Sequence, residues 1–401
     1  MPVSKRQYLN PESRWMLVLL ATLVSLGPLS VDMYLPAMPA MRDTLGSTTG
    51  DIQLTLSAYL AGFAVFHLAC GPLADRFGRK PVLQGGMAIF VLACIGCSLA
   101  ENVEQLILLR FLQGIGACVG PTLARAVTRD LFGPRRAAKA LSLIAMLMAL
   151  APAIAPGFGS LMMLVWPWRS IFVFLAVYGV TMSVLIHTLL PETVPHRQSL
   201  HPVTIGRNFL TLLRAPLFMS VALGSSLVYA ALLCYLSASG FVYIEMLGVP
   251  LEYFGFIFLT SVFGYFVGSA TSARLSAHYE SNQVVLLGAL LSAFSCLVML
   301  GGSSLWPTSI YPLMLPMMLF AVAMGLVLPH AMNLALQPYA HMAGTASALL
   351  GFIQMGVSAI ASGSVGSLMD QSPAPMVWLM TALSLTALAI IYRASRRLAS
   401  N

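Results

Sequence analysis

The sequence predicts an all-α membrane protein with twelve transmembrane helices in two six-helix, pseudo-symmetric bundles. Three observations carry this. The 401 residues are 58% hydrophobic and 8% charged, with mean hydropathy +0.86, whereas a soluble domain carries roughly 25% charge. Apolar runs of about 20 residues, the length a helix needs to cross the hydrocarbon core, recur twelve times along the chain. The basic residues gather in alternate loops, as they do when Lys and Arg are retained on the cytoplasmic side of a bilayer.

The first run, 15–38, follows a short basic tail, 1–14. It is too long, and too poor in a cleavage signal, for a removed leader, so it reads as a retained span. Runs at 51–73, 82–100, 105–126, 138–162 and 169–190 complete a first bundle, 15–190. The longest polar stretch, Pro191 to Ala215, reads as a cytoplasmic linker, 191–215, too short to hold an inserted domain. Runs at 216–244, 252–274, 283–301, 309–336, 343–366 and 374–393 make the second bundle, 216–393, before a cytoplasmic tail, 394–401. The longer runs tilt or include helix outside the membrane. A faint repeat accompanies this division into halves. Gly71 to Lys80 follows the second span, and Ser269-Ala-Thr-Ser-Ala-Arg274 follows the eighth, keeping one Arg and small residues without the acid.

With the N-terminus inside, only Arg42 and Arg169 of the 21 Lys and Arg fall outside, and Arg110 falls within a span. Asp43, Asp51, Glu101, Glu104, Glu245, Glu252 and Asp370 lie on the outer side. Both termini are therefore expected in the cytoplasm. The formal charge of +8 and pI near 9.3 follow from that orientation. Nucleic-acid signatures are missing, and the aromatic residues sit within apolar runs, so no nucleic-acid partner is expected. Cys70, Cys94, Cys97, Cys118, Cys234 and Cys296 all fall in or beside spans, which disfavours a disulfide framework. Cys94 and Cys97 have metal-like spacing but no His or carboxylate neighbour, and read as small packing residues. No nucleotide loop or catalytic motif stands in a fitting context. The chain is read as no enzyme, with no metal and no cofactor, and an ion gradient suits it better than ATP hydrolysis as an energy source.

Ionisable residues inside a bilayer are costly, which makes each a functional candidate. Arg110 stands in Leu106-Ile-Leu-Leu-Arg110-Phe-Leu-Gln113-Gly114-Ile-Gly116, with Gln113 on its own helix face and glycines that admit a neighbouring helix. It either acts inside the bundle or snorkels to the outer surface. Asp32, in Asp32-Met-Tyr34-Leu-Pro-Ala-Met-Pro39, is the one acid deep within a span; it is either a proton site or a cap near a helix end. Between the second and third spans, Gly71-Pro-Leu-Ala-Asp75-Arg76-Phe-Gly78-Arg79-Lys80-Pro is a very short polar hinge. Helices joined so closely must approach almost backbone to backbone, which glycine permits, so Gly71, Asp75, Arg76, Gly78 and Arg79 read as a conformational hinge. The bland alternative is a positively charged turn. In the fifth span, Ala151-Pro152-Ala-Ile-Ala155-Pro156-Gly157-Phe-Gly159 combines two prolines that favour a kink with glycines that let the helix press on a partner. Weaker candidates to line a substrate cavity are Tyr34, Tyr59, Gln113, Tyr229, Tyr235, His330, Asn333 and Gln354.

These motifs resemble a known family. The Gly71–Lys80 string matches, nearly letter for letter, the loop after the second span of major facilitator superfamily transporters. The segment around Arg110 resembles the fourth-span motif of their proton-coupled drug exporters, where the Arg is associated with proton handling. The fifth-span pattern is similar to a motif of antiporter members, although Ala155 and Ser160 stand where that motif has Gly. Asp32–Pro39 resembles the signature of the Bcr/CflA branch of drug:proton antiporters, which includes bicyclomycin and chloramphenicol-type exporters. Some drug antiporters carry a second first-span acid; here the preceding turns hold Val24, Ser25 and Leu26. The resemblance implies a monomeric proton-coupled exporter in the bacterial inner membrane. It would expel small, mostly apolar or weakly polar drugs by alternating access, with Asp32 and Arg110 in proton coupling. Its partners would be a small-molecule substrate, protons and the lipid bilayer. Export of a nucleoside, amino acid or siderophore, proton-coupled uptake, and a receptor without transport remain as alternatives.

Overall fold

A computed structural model describes residues 13–148, 151–194, 202–369 and 372–399. Most of the expected N-terminal tail, linker residues 195–201, Asp370 and the last two residues of the C-terminal tail lie outside the described residues. Among the described residues every regular element is helical. The first half holds α1 (Arg14–Asp32), α2 (Met38–Leu45), α3 (Thr49–Phe77), α4 (Arg79–Leu99), α5 (Val103–Met148), α6 (Ala151–Val165) and α7 (Arg169–Leu189). After α8 (Pro202–Leu213) come α9 (Pro216–Ser239), α10 (Phe254–Leu275), α11 (Ser281–Leu305), α12 (Tyr311–Leu336), α13 (Ala343–Leu368) and α14 (Ala374–Ala399). Among the described residues, eleven helical segments are long and apolar enough to cross a membrane, and α6 is a shorter apolar helix. The outer faces are apolar too: Leu92, Val177, Phe266 and Ile360 are all exposed, as suits side chains that meet lipid.

Local chemistry sets the helix ends. Ser13 caps α1, accepting from the Trp15 amide. Thr48 and Asp51 form a reciprocal capping box at the start of α3. Gly46, at φ 60°, closes α2. Pro216 opens α9, where its missing N–H costs nothing.

Three expectations change. The string Gly71–Phe77 is helical, and the turn into α4 is the single residue Gly78, at φ 106°. Asp and Arg side chains tolerate the last turn of a helix leaving the membrane, so polarity there does not end α3. The close approach expected at Gly71 is not found: nothing lies within 4 Å of where its Cβ would be. Likewise the fourth and fifth spans, read as separate at 105–126 and 138–162, share α5 as far as Met148, with α6 carrying the rest. The charged stretch 127–137, with Arg129, Asp130, Arg135 and Arg136, does not stop the helix. Lastly, the linker holds the twelve-residue helix α8, too short to register as a span.

Within the first half, α5 packs against α1, α3 and α4, and α4 also packs on α7. Within the second, α12 packs against α10 and α11, and α14 against α9 and α11. Two seams join the halves, α3 against α13 and α6 against α10. Small residues make the close contacts, as expected where lipid supplies no hydrophobic drive between helices. A Cβ on Gly62 would strike the Phe111 carbonyl oxygen, and one on Gly114 the Tyr59 carbonyl oxygen, so α3 and α5 touch backbone to backbone. Gly264 and Gly268 do the same for α10 against Met318 and Val322 of α12.

These contacts separate two glycines that look alike in sequence. Gly114→Ala must push α3 and α5 apart and should lose about 1–3 kcal/mol, as overpacked cores do. Gly71→Ala fills open space inside a helix and should gain about 0.5–1 kcal/mol. Thermal unfolding of the purified proteins in detergent checks the order; a more stable Gly114→Ala variant would contradict the packing.

Candidate functional site

Arg110, on α5, has no exposed surface. Its Nη1 donates to the Ser30 carbonyl at 3.2 Å and to Gln113 Oε1 at 2.6 Å. The guanidinium lies 4.3 Å from the Tyr34 ring centroid, 4.6 Å from that of Tyr59 and 5.9 Å from that of Phe172. A desolvated cation over a ring face gains about 2 kcal/mol, and here three helical regions of the first half supply rings. No carboxylate pairs with Arg110 among the described residues, and its Nε and Nη2 have no hydrogen-bond partner. The cage is braced in turn. The Tyr34 hydroxyl bonds with Thr55 Oγ1, the Tyr59 hydroxyl donates to the Gly27 carbonyl at 3.3 Å, and Gln113 Nε2 donates to Cys94 Sγ at 3.0 Å. Arg110 therefore does not snorkel; its guanidinium is enclosed within the first half.

Asp32 is the last residue of α1 and is 5% exposed. Its carboxylate joins no hydrogen bond or ion pair among the described residues, so it caps no helix there. Its electrostatic neighbour is Tyr229 on α9, which also interacts with Tyr265 on α10. Asp32 thus lies within electrostatic reach of the second half, while Ser30, two residues earlier, turns its carbonyl to Arg110. Arg110, on α5, thus touches α1 two residues before Asp32, yet the two ionisable residues singled out by sequence form no pair among the described residues.

At the Asp75 end of the bundle, Asp75 pairs with Arg79 at 2.7 Å across the Gly78 turn, and Arg79 Nε meets Asp130 of α5 at 3.3 Å. Sequence reasoning missed Asp130 and also a third acid, Glu192. Its carboxylate accepts from the Arg79 and Lys80 amides at 2.9 and 3.2 Å, capping the positive end of α4. Lys80 Nζ returns the contact, donating to the His187 and Leu190 carbonyls at the end of α7, at 2.8 and 2.7 Å. Each helix end is capped by the other's partner. A Cβ on Gly78 would strike Glu192 Oε2, which gives that glycine a second reason beyond its φ. Arg76 stands apart, over the Phe77 ring at 5.2 Å. Nothing in Pro191-Glu192-Thr193 marks the acid as a cap for a helix more than 100 residues earlier.

The chain matches the sequence profile of the Major Facilitator Superfamily over residues 19–363. It belongs to that superfamily. It is 31% identical over 353 residues to an uncharacterized MFS-type transporter, YdgK, of Bacillus subtilis, covering 87% of each chain. It is 30% identical over 388 residues to the bicyclomycin resistance protein homolog of Haemophilus influenzae, covering 95% of this chain and 96% of the relative. Multidrug resistance protein MdtL of Escherichia coli is 33% identical over 337 residues, 83% of each chain. Among solved structures, a D-xylose-proton symporter superposes with TM-score 0.75 at 14% identity, covering 95% of this chain and 98% of that one. A bacterial homolog of the human lysosomal transporter Spinster, inward-facing and occupied, gives 0.73 at 17% identity, covering 95% and 96%. Both likenesses concern the fold. As a superfamily member the protein is an integral membrane transporter, and not an enzyme.

The superfamily's fifth-span pattern lies on α6. Pro152 sits in its first turn and Pro156 within it. Gly157 faces Gly255 of α10 across the seam, and Gly159 lies against the Met33 carbonyl of the first half. The eight cavity candidates separate into groups. Tyr34, Tyr59 and Gln113 belong to the Arg110 cage, and Tyr229 faces Asp32. Tyr235 bonds with the Tyr243 hydroxyl at 2.9 Å, inside the second half. His330 and Asn333 meet at Ser281 Oγ, at 3.1 and 3.2 Å, in a separate pocket of about 490 Å³ between α10, α11 and α12. Gln354, on α13, accepts at its carbonyl from Ser358.

Ring faces and directed hydrogen bonds hold Arg110, and an ammonium lacks its planar fork. Arg110→Lys should therefore lose at least tenfold in transport rate at equal expression although the charge remains. An unchanged rate in vesicles would show that charge alone suffices. At the other end, Glu192→Gln keeps the shape and removes the charge that caps α4. It should lower thermal stability by about 0.5–2 kcal/mol, the range for a lost helix cap, and a melting point equal to the parent's would remove that role.

Proposed function

We propose that this transporter exports small, mostly apolar or weakly polar compounds in exchange for protons across the bacterial inner membrane, with both termini in the cytoplasm. Two bundles, 15–190 and 216–393, rock about the α3–α13 and α6–α10 seams, joined by the linker 191–215, and one chain suffices. The observation that carries this reading is Asp32: buried, bonded to nothing among the described residues, and within electrostatic reach of Tyr229 of the opposite half. A carboxyl group there takes a proton when the site opens outward. When the site opens inward, substrate arrival and the less acidic cytoplasm drive that proton off. Linkage requires a substrate that prefers the ionised group to weaken proton binding by the same factor. Arg110 keeps its charge within the wall and holds α1 in place through Ser30. The names of the Haemophilus and Escherichia relatives, which speak of bicyclomycin and multidrug resistance, support drugs as the cargo.

The closed end bears on which state of the cycle the structure represents. Arg42, on α2, pairs with Glu245 at 2.8 Å and lies 5.8 Å from the Phe241 ring centroid. Both partners belong to a seven-residue π-helical stretch, Gly240–Met246, after α9. Gly240 there abuts the Leu35 carbonyl. With the outer face latched so, the site is read as open to the cytoplasm. The hinge cluster of Asp75, Arg79, Asp130 and Glu192 is free to meet the second half when the bundles rock the other way.

Two outcomes test this function. In inside-out vesicles, bicyclomycin or another screened drug should accumulate only under an imposed proton gradient. Asp32→Asn should still equilibrate the drug but not concentrate it; uphill accumulation with matching proton flux in that variant places the carrier elsewhere. For the latch, Arg42→Glu or Glu245→Arg alone should widen the distance between spin labels on α2 and the π-helical stretch, and the double swap should restore it. Equal distances in all four proteins would exclude the ion pair as a latch.

A further inference from the structure

The linker helix α8 leads through Arg214 and Ala215 straight into α9, a membrane span, so it lies at the membrane surface. Leu212 is buried, and Asn208 and Phe209 are partly buried on the same side, where α8 packs on α9 and α13. The opposite side carries Arg207, Leu210, Leu213 and Arg214, all exposed, with Leu210 at 46% and Leu213 at 48%. Arg207, Leu210 and Arg214 recur at helical spacing, so cationic heads and apolar bodies share one face. Neither guanidinium joins an ion pair or hydrogen bond among the described residues. Nor does the chain offer acids to neutralise them: none occurs between Glu192 and Glu245, and Glu192 is committed to capping α4. We propose that this face of α8 is a binding surface for anionic phospholipid headgroups. The leucines seat at the boundary of the acyl region while Arg207 and Arg214 reach phosphate.

The bilayer is the partner these residues fit. A helix fixed to the first turn of a span cannot leave the interface, and an exposed Leu–Arg face there matches a negative surface in both polarity and charge. A basic residue near such a surface is worth about 1 kcal/mol, which is roughly fivefold in affinity for each arginine. Because Leu212 is packed against the spans, headgroups gripping α8 would also bear on α9 and α13, the latter forming the seam with α3.

The test uses the full-length protein, labelled with an environment-sensitive fluorophore through Leu210→Cys in a background whose native cysteines are buried. It is reconstituted into phosphatidylcholine vesicles with or without phosphatidylglycerol. Brominated lipid should quench the label, more strongly with brominated phosphatidylglycerol than with brominated phosphatidylcholine, and high salt should erase that difference. In the Arg207→Gln/Arg214→Gln variant the preference should fall by an order of magnitude or more while quenching by phosphatidylcholine persists. Quenching by aqueous iodide in place of lipid, or a preference unchanged by the double substitution, would overturn the proposal. Elution of both proteins as the same monodisperse peak separates lost lipid contact from misfolding.

Discussion

A cation buried in a bilayer must find its stabilisation within reach of one side chain, and Arg110 finds it in ring faces. Tyr34, Tyr59 and Phe172 come from three different parts of the first half, and the Ser30 carbonyl adds α1 directly. The cage can form only if these elements meet at one point. Gly62 and Gly114 let α3 and α5 meet there by admitting backbone to backbone contact. Asp32 forms no pair with Arg110 among the described residues, although Arg110 holds the carbonyl of Ser30 only two residues earlier on α1.

The first half therefore separates two jobs that a salt bridge would merge. Arg110 is enclosed within the first half; Asp32 lies within electrostatic reach of Tyr229 of the second half and is the residue proposed to exchange a proton. The ends of the molecule are organised differently from each other. At the Asp75 end, the first half and the start of the linker hold one another: Arg79 meets Asp75 and Asp130, Glu192 accepts from the α4 amides, and Lys80 donates to the α7 carbonyls. At the other end, Arg42 reaches across to Glu245. A surface ion pair alone is worth little. With the Gly240 and Gly255 close approaches beside it, the pair marks the face where the halves are locked together.

Much of this fold was legible because a bilayer imposes one length on every span. The apolar runs find the helices, including α9 and α12, within a few residues. What length cannot supply is where a helix stops once it leaves the lipid. Hence Gly71–Phe77 continues α3, α5 runs on to Met148, and the amphipathic α8 went unseen. Asp32 and Arg110 stood out because charge within a span is rare. Their surroundings did not, since Tyr34, Tyr59 and Phe172 are ordinary residues for a membrane helix. Glu192 and the Arg42–Glu245 pair depend on contacts between residues 112 to 203 positions apart, which no local pattern encodes. His330 and Asn333 looked like cavity residues by type, but Ser281 gathers them into a different pocket.

The central claim is that Asp32 holds the proton that substrate displaces. The most direct measurement is proton release on substrate binding, followed with a pH-sensitive dye in weakly buffered detergent solution near the pH of half-protonation. The compound used is one that the protein transports. The account predicts that the parent protein releases protons as it binds, whereas Asp32→Asn binds the same compound and releases none. Equal proton release from both proteins at matched occupancy would contradict it.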